Sequence, residues 1–183
     1  MVRTFQEFAP EIGRNVYIDP AATVIGQVVL GDEVSLWPNV VLRGDVNRIE
    51  VGPGSNLQDG VIGHVTHDGP YTPGGHPLLI GADVTVGHAA VLHGCRIGAR
   101  CLIGMAALVM DGAVLEQEVI VAAGSLVPPG KHLESGWLYR GRPVQPARRL
   151  SEDERAMLVY SAGHYRRLKD QYLARQQGGT GRP

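Results

Sequence analysis

Aliphatic residues recur every six positions along most of this chain. The main series runs Ile18, Val24, Leu30, Leu36, Leu42, Val51, Leu57, Ile80, Val86, Leu92, Ile97, Ile103, Val109, Leu115, Val121, Val127. In many units a small or β-branched residue follows four places on, as at Ala22, Val28, Val34, Val40, Ser55, Val61, Val84, Ala90, Cys101, Ala107, Ala113, Val119, Ser125. A period of six fits neither an α-helix nor a long alternating strand. It predicts short strands joined by tight corners, three to each triangular coil, with the aliphatic side chains inside.

One segment inside this repeat lacks the period. Residues 65–78 contain three prolines and two adjacent glycines, Gly74 and Gly75. Such a composition is typical of a loop, because proline and glycine interrupt regular strands. We therefore expect an excursion loop that leaves the coil near residue 65 and returns near residue 78.

The C-terminal part of the chain changes to a helical pattern. Ser151 and Glu154 have the spacing of a capping box, and apolar residues follow at helical intervals at Leu158, Tyr165, Leu168 and Tyr172. We expect residues 1–150 to form a β prism and residues 151–175 to form one amphipathic helix packed along it. The tail, residues 176–183, is expected to be disordered.

Composition and charge exclude several functional classes. The chain has 183 residues, 17 Lys and Arg against 18 Asp and Glu, and 44% hydrophobic residues. This balance predicts no nucleic-acid partner, and no run of residues is apolar and long enough for a membrane span. With no secretory signal in the first ten residues, we expect a cytoplasmic protein. Cys95 and Cys101 are six residues apart, and we interpret them as buried filler rather than a redox pair.

Two of the seven histidines occupy equivalent places in the repeat. His64 and His93 each follow a register position, Gly63 and Leu92. Without the excursion loop, the separation between the two histidines is about 18 residues, which is one full coil. We therefore expect the two imidazoles to stack on one face, close enough to share a Zn²⁺ ion.

A third histidine lies on a different side of the triangle. His88 precedes His93 by nearly one hexapeptide, so both cannot readily bind one ion from the same subunit. A second copy of the chain could supply His88, and three copies about a three-fold axis would give three equal sites. The spacing thus predicts a homotrimer with metal sites between subunits. Zn²⁺, Fe²⁺ and Co²⁺ all accept three imidazoles.

The motifs around these histidines resemble those of the gamma-class carbonic anhydrases, close to their bacterial YrdA branch. They are Arg43-Gly-Asp45, Asn56-Leu-Gln58-Asp59-Gly60, His64, Val86-Gly-His88 and Leu92-His93-Gly94. The resemblance covers residues 17–172, and it implies a single-stranded left-handed parallel β-helix of hexapeptide repeats, mainly β, with one C-terminal α-helix. The left hand comes from this resemblance, since most crossovers are right-handed.

The resemblance also implies roles for individual residues. His64 and His93 would bind the metal from one subunit and His88 from its neighbour, while Arg43 and Asp59 would form a salt bridge across the interface. The implied activity is a lyase reaction, the reversible hydration of CO₂ to bicarbonate by a metal-bound hydroxide. Gln58 would orient that hydroxide, and Asp45 would support the site. Tyr165 would approach the pocket from the helix, with Tyr160 as a second candidate.

One departure from the family pattern bears on activity. Val46 stands where the most active members carry a glutamate that shuttles protons, and His67 replaces a second glutamate and could take over the shuttle. The metal site is thus expected to be intact and the proton exit altered. Three functions remain open: a carbonic anhydrase of low activity, a metal-binding protein without turnover, and a CoA-dependent acyltransferase, which the repeat alone would also allow.

Overall fold

The described part of the computed structural model, residues 1–178, contains twenty strands, most of them two or three residues long, and one helix. The strands are β1 Val2–Arg3, β2 Glu11–Ile12, β3 Tyr17–Ile18, β4 Thr23–Leu30, β5 Ser35–Leu36, β6 Val41–Val51, β7 Asn56–Leu57, β8 Ile62–His64, β9 Leu78–Ile80, β10 Thr85–Val86, β11 Val91–His93, β12 Arg96–Ile97, β13 Leu102–Ile103, β14 Leu108–Val109, β15 Val114–Leu115, β16 Ile120–Val121, β17 Leu126–Val127, β18 His132–Leu133, β19 Trp137–Gly141 and β20 Val144–Arg149. The helix, α1, spans Glu152–Gly178.

The strands stack in parallel into a left-handed β-helix, as the repeat and the resemblance predicted. One face is a sheet in the order β20-β19-β16-β13-β10-β7-β5-β3. The other two faces are joined into a twelve-stranded sheet because the long strands β4 and β6 pair on both sides of a corner. Each coil therefore hydrogen-bonds to the coil above and the coil below it.

The aliphatic residues of the repeat form three inward columns. In register these are Leu36, Leu57, Val86, Ile103 and Val121; Leu42, Gly63, Leu92, Val109 and Val127; and Val51, Ile80, Ile97, Leu115 and Leu133. Apart from Gly63, these side chains make up the hydrophobic core. Both cysteines are buried and free, and burial raises the pKa of Cys101 to about 12. The filler interpretation of the cysteines agrees with this burial.

The prism ends in a hairpin rather than in another parallel coil. The strand β19 still pairs in parallel with β16, but β20 turns back and pairs antiparallel with β19. This hairpin covers part of the last coil, where an open edge would otherwise expose unpaired backbone groups.

The helix packs on the eight-stranded face and begins as predicted. The backbone N–H of Glu154 donates to the Ser151 hydroxyl over 3.2 Å, and the Ser151 N–H donates to the Glu154 carboxylate over 3.0 Å. The helix continues to Gly178, so residues 176–178 of the tail predicted to be disordered are helical. The rest of that predicted tail, 179–183, lies outside the described residues. No helix among the described residues is long and apolar enough to cross a membrane.

The excursion leaves the coil after His64 and returns at Leu78. It folds on itself, with Thr66 opposite His76 and Gly69 opposite Thr72 as antiparallel bridges. We call residues 65–77 the excursion hairpin. It emerges directly after a histidine of the candidate site, which makes it part of the environment of that site.

Candidate functional site

His64 and His93 lie side by side on the twelve-stranded sheet. They end strands β8 and β11, which pair in parallel with His93 opposite His64. The ring centroids are 5.1 Å apart, and Nδ1 of His64 lies 3.1 Å from Nε2 of His93. This arrangement agrees with the stacking expected from their separation of one coil. The two rings thus present one nitrogen each to a shared point.

The outer nitrogen of each ring faces a carboxylate. Nε2 of His64 lies 3.1 Å from Oδ1 of Asp45, and Nδ1 of His93 lies 2.9 Å from Oδ1 of Asp111. Sequence reasoning selected Asp45 and missed Asp111. Spacing gave no clear signal for Asp111, because the coil that pairs Leu92 with Val109 is 17 residues long and Asp111 follows His93 by 18.

The electrostatics of the site determine which nitrogens carry protons. Burial alone would raise the pKa of Asp111, but hydrogen bonds from Thr66 and His93 outweigh it and lower the pKa. Burial opposes ionisation of Asp45 too, and the bonds from Arg43 and His64 likewise bring its pKa below the usual range. Burial lowers the pKa of His64, which the bond to Asp45 offsets only in part. Ionised carboxylates only accept, so the outer ring nitrogens donate to them.

This proton distribution makes the inner pair suitable for a metal ion. With the protons on the outer nitrogens, two lone pairs face each other over 3.1 Å, and a cation between them would relieve their repulsion. Two nitrogens at 2.0–2.1 Å from a tetrahedral metal are about 3.3–3.4 Å apart, close to the observed spacing. Carboxylates on the far nitrogens are the usual support for metal-binding imidazoles. The residues therefore fit Zn²⁺, Fe²⁺ or Co²⁺.

The third predicted ligand lies in a separate group. His88 sits at the corner between β10 and β11, about half exposed, and its Nδ1 lies 2.9 Å from Oδ2 of Asp59. With Gln58 and Tyr165 it lines a groove of about 460 Å³ between α1 and the prism. Within residues 1–178 of one chain, no three His, Cys, Asp or Glu side chains are grouped to hold a metal.

Comparison with known proteins assigns the chain to a family. The profile described as bacterial transferase hexapeptide (six repeats) matches residues 9–44. Protein YrdA of Escherichia coli (strain K12) is 50% identical over 183 residues, which cover all of this chain and 98% of YrdA. Gamma carbonic anhydrase 1, mitochondrial, of Arabidopsis thaliana is 40% identical over 91% of this chain and 60% of its own length. The chain belongs to the family of YrdA and the gamma carbonic anhydrases.

A solved structure of the same fold supports this assignment. A hexapeptide transferase family protein from Anaplasma phagocytophilum superposes with a TM-score of 0.87 at 38% identity. The match covers 94% of this chain and 98% of the other. With this coverage, the structural likeness includes the prism and most of the helix.

The remaining predicted residues have defined places in this member of the YrdA family. Arg43 pairs with Asp45 in its own chain, while Asp59 pairs with His88, so the interface pair between Arg43 and Asp59 stays a prediction. The candidate shuttle His67 is exposed in the excursion hairpin, and Val46 is 45% exposed beside Asp45.

The two tyrosines of the helix have different environments. Tyr165 lines the groove, and burial, followed by the charge of Asp59, raises its pKa. Tyr160 is 65% exposed and stacks on His164 with ring centroids 6.2 Å apart. Only Tyr165 therefore lies beside Gln58 and His88.

A buried polar row connects the groove of this YrdA-family chain to its helix. Gln58 donates to Asn56 over 3.4 Å, and the Asn56 amide donates to the Thr85 hydroxyl over 3.0 Å. The Thr85 hydroxyl in turn lies 3.1 Å from the Ser161 hydroxyl of α1. Sequence reasoning did not assign a role to Asn56, Thr85 or Ser161. For Asn56 and Thr85 the signal was polarity at equivalent places in successive coils, since the two are opposite in register; Ser161, on the helix, had none.

Proposed function

We propose that this protein is a metal-dependent, gamma-type carbonic anhydrase that interconverts CO₂ and bicarbonate between the subunits of a homotrimer. The observation that carries the proposal is the pair of imidazole nitrogens of His64 and His93, 3.1 Å apart, each ring supported by a carboxylate on its far side. This donor set suits Zn²⁺, with Fe²⁺ or Co²⁺ as further candidates.

The neighbouring subunit supplies the third imidazole in this proposal. His88 lies at a corner, and its ring is half exposed in a groove with Gln58 and Tyr165. A three-fold arrangement would bring this groove against the His64 and His93 pair of the next chain. An exposed histidine can reach a partner without unfolding its own coil, which makes His88 suitable for this role.

The residues of the chain have complementary tasks in the reaction CO₂ + H₂O ⇌ HCO₃⁻ + H⁺. A divalent metal on three imidazoles supplies Lewis acidity that makes hydroxide available near neutral pH. Asp45 and Asp111 hold the rings of His64 and His93. Gln58, fixed by Asn56, can orient the reacting oxygen by a hydrogen bond. Tyr165 stays protonated and can donate.

Proton removal is expected to limit the rate. Val46 is an apolar residue beside Asp45 and cannot carry a proton to solvent. The predicted substitute is His67, an exposed imidazole of the excursion hairpin. We therefore propose an activity that rises with the concentration of small imidazole buffers, since an added buffer can replace a missing shuttle.

Mixed trimers test the shared site. His88→Ala leaves His64 and His93, whereas His93→Ala leaves His88, so neither variant alone should retain metal. When the two chains are co-expressed with different tags, one interface of a mixed trimer joins all three histidines. We expect the tag-purified mixed trimer to hold about one metal per trimer by elemental analysis and to regain CO₂ hydration in a stopped-flow assay.

The controls separate loss of metal from loss of assembly. His132→Ala removes an exposed imidazole that pairs with Glu116 and should leave metal content unchanged. Light scattering checks that each variant remains a trimer. Mixed trimers without metal, beside a metal-replete wild type, would disprove the shared site. A wild type that holds metal but shows no hydration above buffer would disprove the carbonic anhydrase activity and leave metal binding alone.

An acyltransferase remains the second candidate function. The family profile and the Anaplasma phagocytophilum structure are both described as transferases, and the groove of Gln58, His88 and Tyr165 is about 460 Å³ in volume. Titration of the protein with acetyl-CoA by calorimetry tests this function. Absence of binding at millimolar concentration would discard it.

A further inference from the structure

The excursion hairpin contacts the candidate site through one hydroxyl. Thr66 Oγ1 donates to Oδ1 of Asp111, and the same carboxylate oxygen accepts from Nδ1 of His93 over 2.9 Å. Thr66, Asp111 and His93 come from three different parts of the chain. One carboxylate therefore connects the hairpin to a histidine of the site.

Thr66 is held in place by its own backbone. Its N–H donates to the His76 carbonyl and its carbonyl accepts from the His76 N–H, both over 3.0 Å. The side-chain amide of Asn47 also donates to the Thr66 carbonyl over 3.0 Å. These bonds fix the Thr66 backbone, and its side chain is thereby held within reach of Asp111.

Gly94 provides the space in which these groups meet. A Cβ at this position would lie 2.7 Å from Cβ of His76 and 2.8 Å from Oδ1 of Asp111. Gly94 also has a φ of +51°, in the region that favours glycine. The glycine directly after His93 thus lets the hairpin and Asp111 approach the ring.

We propose that Asp111 and Thr66 are positioning residues that keep the proton of His93 on Nδ1 and its Nε2 free for a metal ion. The inference rests on the proposed function, since it concerns the same metal site. A carboxylate can only accept, so it selects the Nδ1–H tautomer, and the Thr66 hydroxyl holds the accepting oxygen in place. Groups that support a metal-binding imidazole in this way change metal affinity about 10- to 100-fold.

Two variants and a matched control test this pair. Asp111→Asn replaces an acceptor by an amide that can donate to Nδ1, which favours the opposite tautomer. It should lower Zn²⁺ affinity about 10- to 100-fold in competition with a chromophoric chelator. Thr66→Val removes one hydrogen bond and should lower the affinity about 2- to 10-fold. Thr72→Val, the same change elsewhere in the hairpin, should leave it unchanged.

Nitrogen-15 NMR of the metal-free protein provides a readout that does not depend on metal. We expect His93 to be in the Nδ1–H form in the wild type and to shift toward the Nε2–H form in Asp111→Asn. Wild-type affinity and an unchanged tautomer in Asp111→Asn would overturn the positioning role and leave the proposed function intact. A wild type that binds no Zn²⁺ would instead remove the proposed function, while the tautomer shift would still decide whether Asp111 positions His93.

Discussion

Gly63 shows how one residue adapts the repeat to the site. It stands in the column between Leu42 and Leu92, where the period of six calls for an aliphatic side chain. Two neighbouring leucines fill the space, because a Cβ on Gly63 would lie 2.6 Å from Cδ2 of Leu42 and 2.9 Å from Cδ2 of Leu78. The residue that follows, His64, therefore belongs to a strand with no room for a side chain at the preceding position.

Gly63→Ala should overpack this position. The added methyl group must displace the ends of Leu42 and Leu78, and overpacking a close-packed core costs about 1–3 kcal/mol. We expect a lower free energy of unfolding in urea at fixed protein concentration. Gly163→Ala in α1 is a control that should raise the free energy of unfolding, since alanine is favoured over glycine by about 1 kcal/mol in a helix. An unchanged midpoint for Gly63→Ala would show that the leucines move freely.

At the scale of elements, the helix differs from the prediction in which residues it buries. Leu158, Ala162 and Lys169 are its most buried residues, whereas Leu168, expected to face the prism, is only partly buried. Lys169 is fully buried, and its ammonium group lies 2.7 Å from Glu33. Tyr172, expected on the apolar face of the helix, packs with its ring centroid 5.1 Å from that of Trp37. A lysine can take a core-facing position because its charge reaches a carboxylate at the edge.

The start of the helix should be sensitive to acid. Bonds from Arg148 and the Ser151 N–H lower the pKa of Glu154 from 4.5 to about 2. A depressed pKa in the folded state contributes stability above the unfolded value, and this contribution is lost as the pH falls from about 4.5 toward 2. Glu154→Gln should therefore be less stable than wild type at pH 7, and the difference should shrink by pH 3. Thermal melts across this range measure it.

A matched control separates the capping box from general acid effects. Glu152→Gln changes a carboxylate in the same first turn, and its difference from wild type should stay smaller at pH 7. If Glu152→Gln and Glu154→Gln lost the same stability with the same pH profile, the bonds to Arg148 and Ser151 would not be the cause.

At the scale of the whole molecule, the candidate site is divided between two surfaces. The His64 and His93 pair lies on the twelve-stranded sheet, and the group of Gln58, His88 and Tyr165 lies in the groove beside α1. A ligand that bridges these surfaces between chains would stabilise the folded assembly rather than one subunit.

Metal removal should expose this coupling. A metal at 100 times its dissociation constant stabilises the folded state by about 2.7 kcal/mol. We therefore expect a chelator to lower the melting temperature of the wild-type protein and to leave that of His88→Ala unchanged. His132→Ala should respond as the wild type does. An equal response of His88→Ala and wild type would place the metal away from His88.

The sequence by itself determined the prism, the positions of its core residues and the stacking of His64 on His93. These features follow from a period that repeats along the chain, so local spacing is enough to derive them. The capping box of α1 was equally readable, because Ser151 and Glu154 interact across three residues. The resemblance to the gamma carbonic anhydrases rested on short motifs, and the comparisons confirmed the family.

Only the tertiary structure decided which residues support the site. Thr66 and Asp111 meet across 45 residues, and Thr85 and Ser161 across 76. The excursion hairpin and the helix interrupt the six-residue period, so no spacing rule relates their side chains to the coils they contact. The burial of Lys169 could not be derived from spacing either, because it depends on where Glu33 meets the helix. Contacts between the repeat and a segment outside it form only when the chain packs, so spacing along the sequence does not specify them.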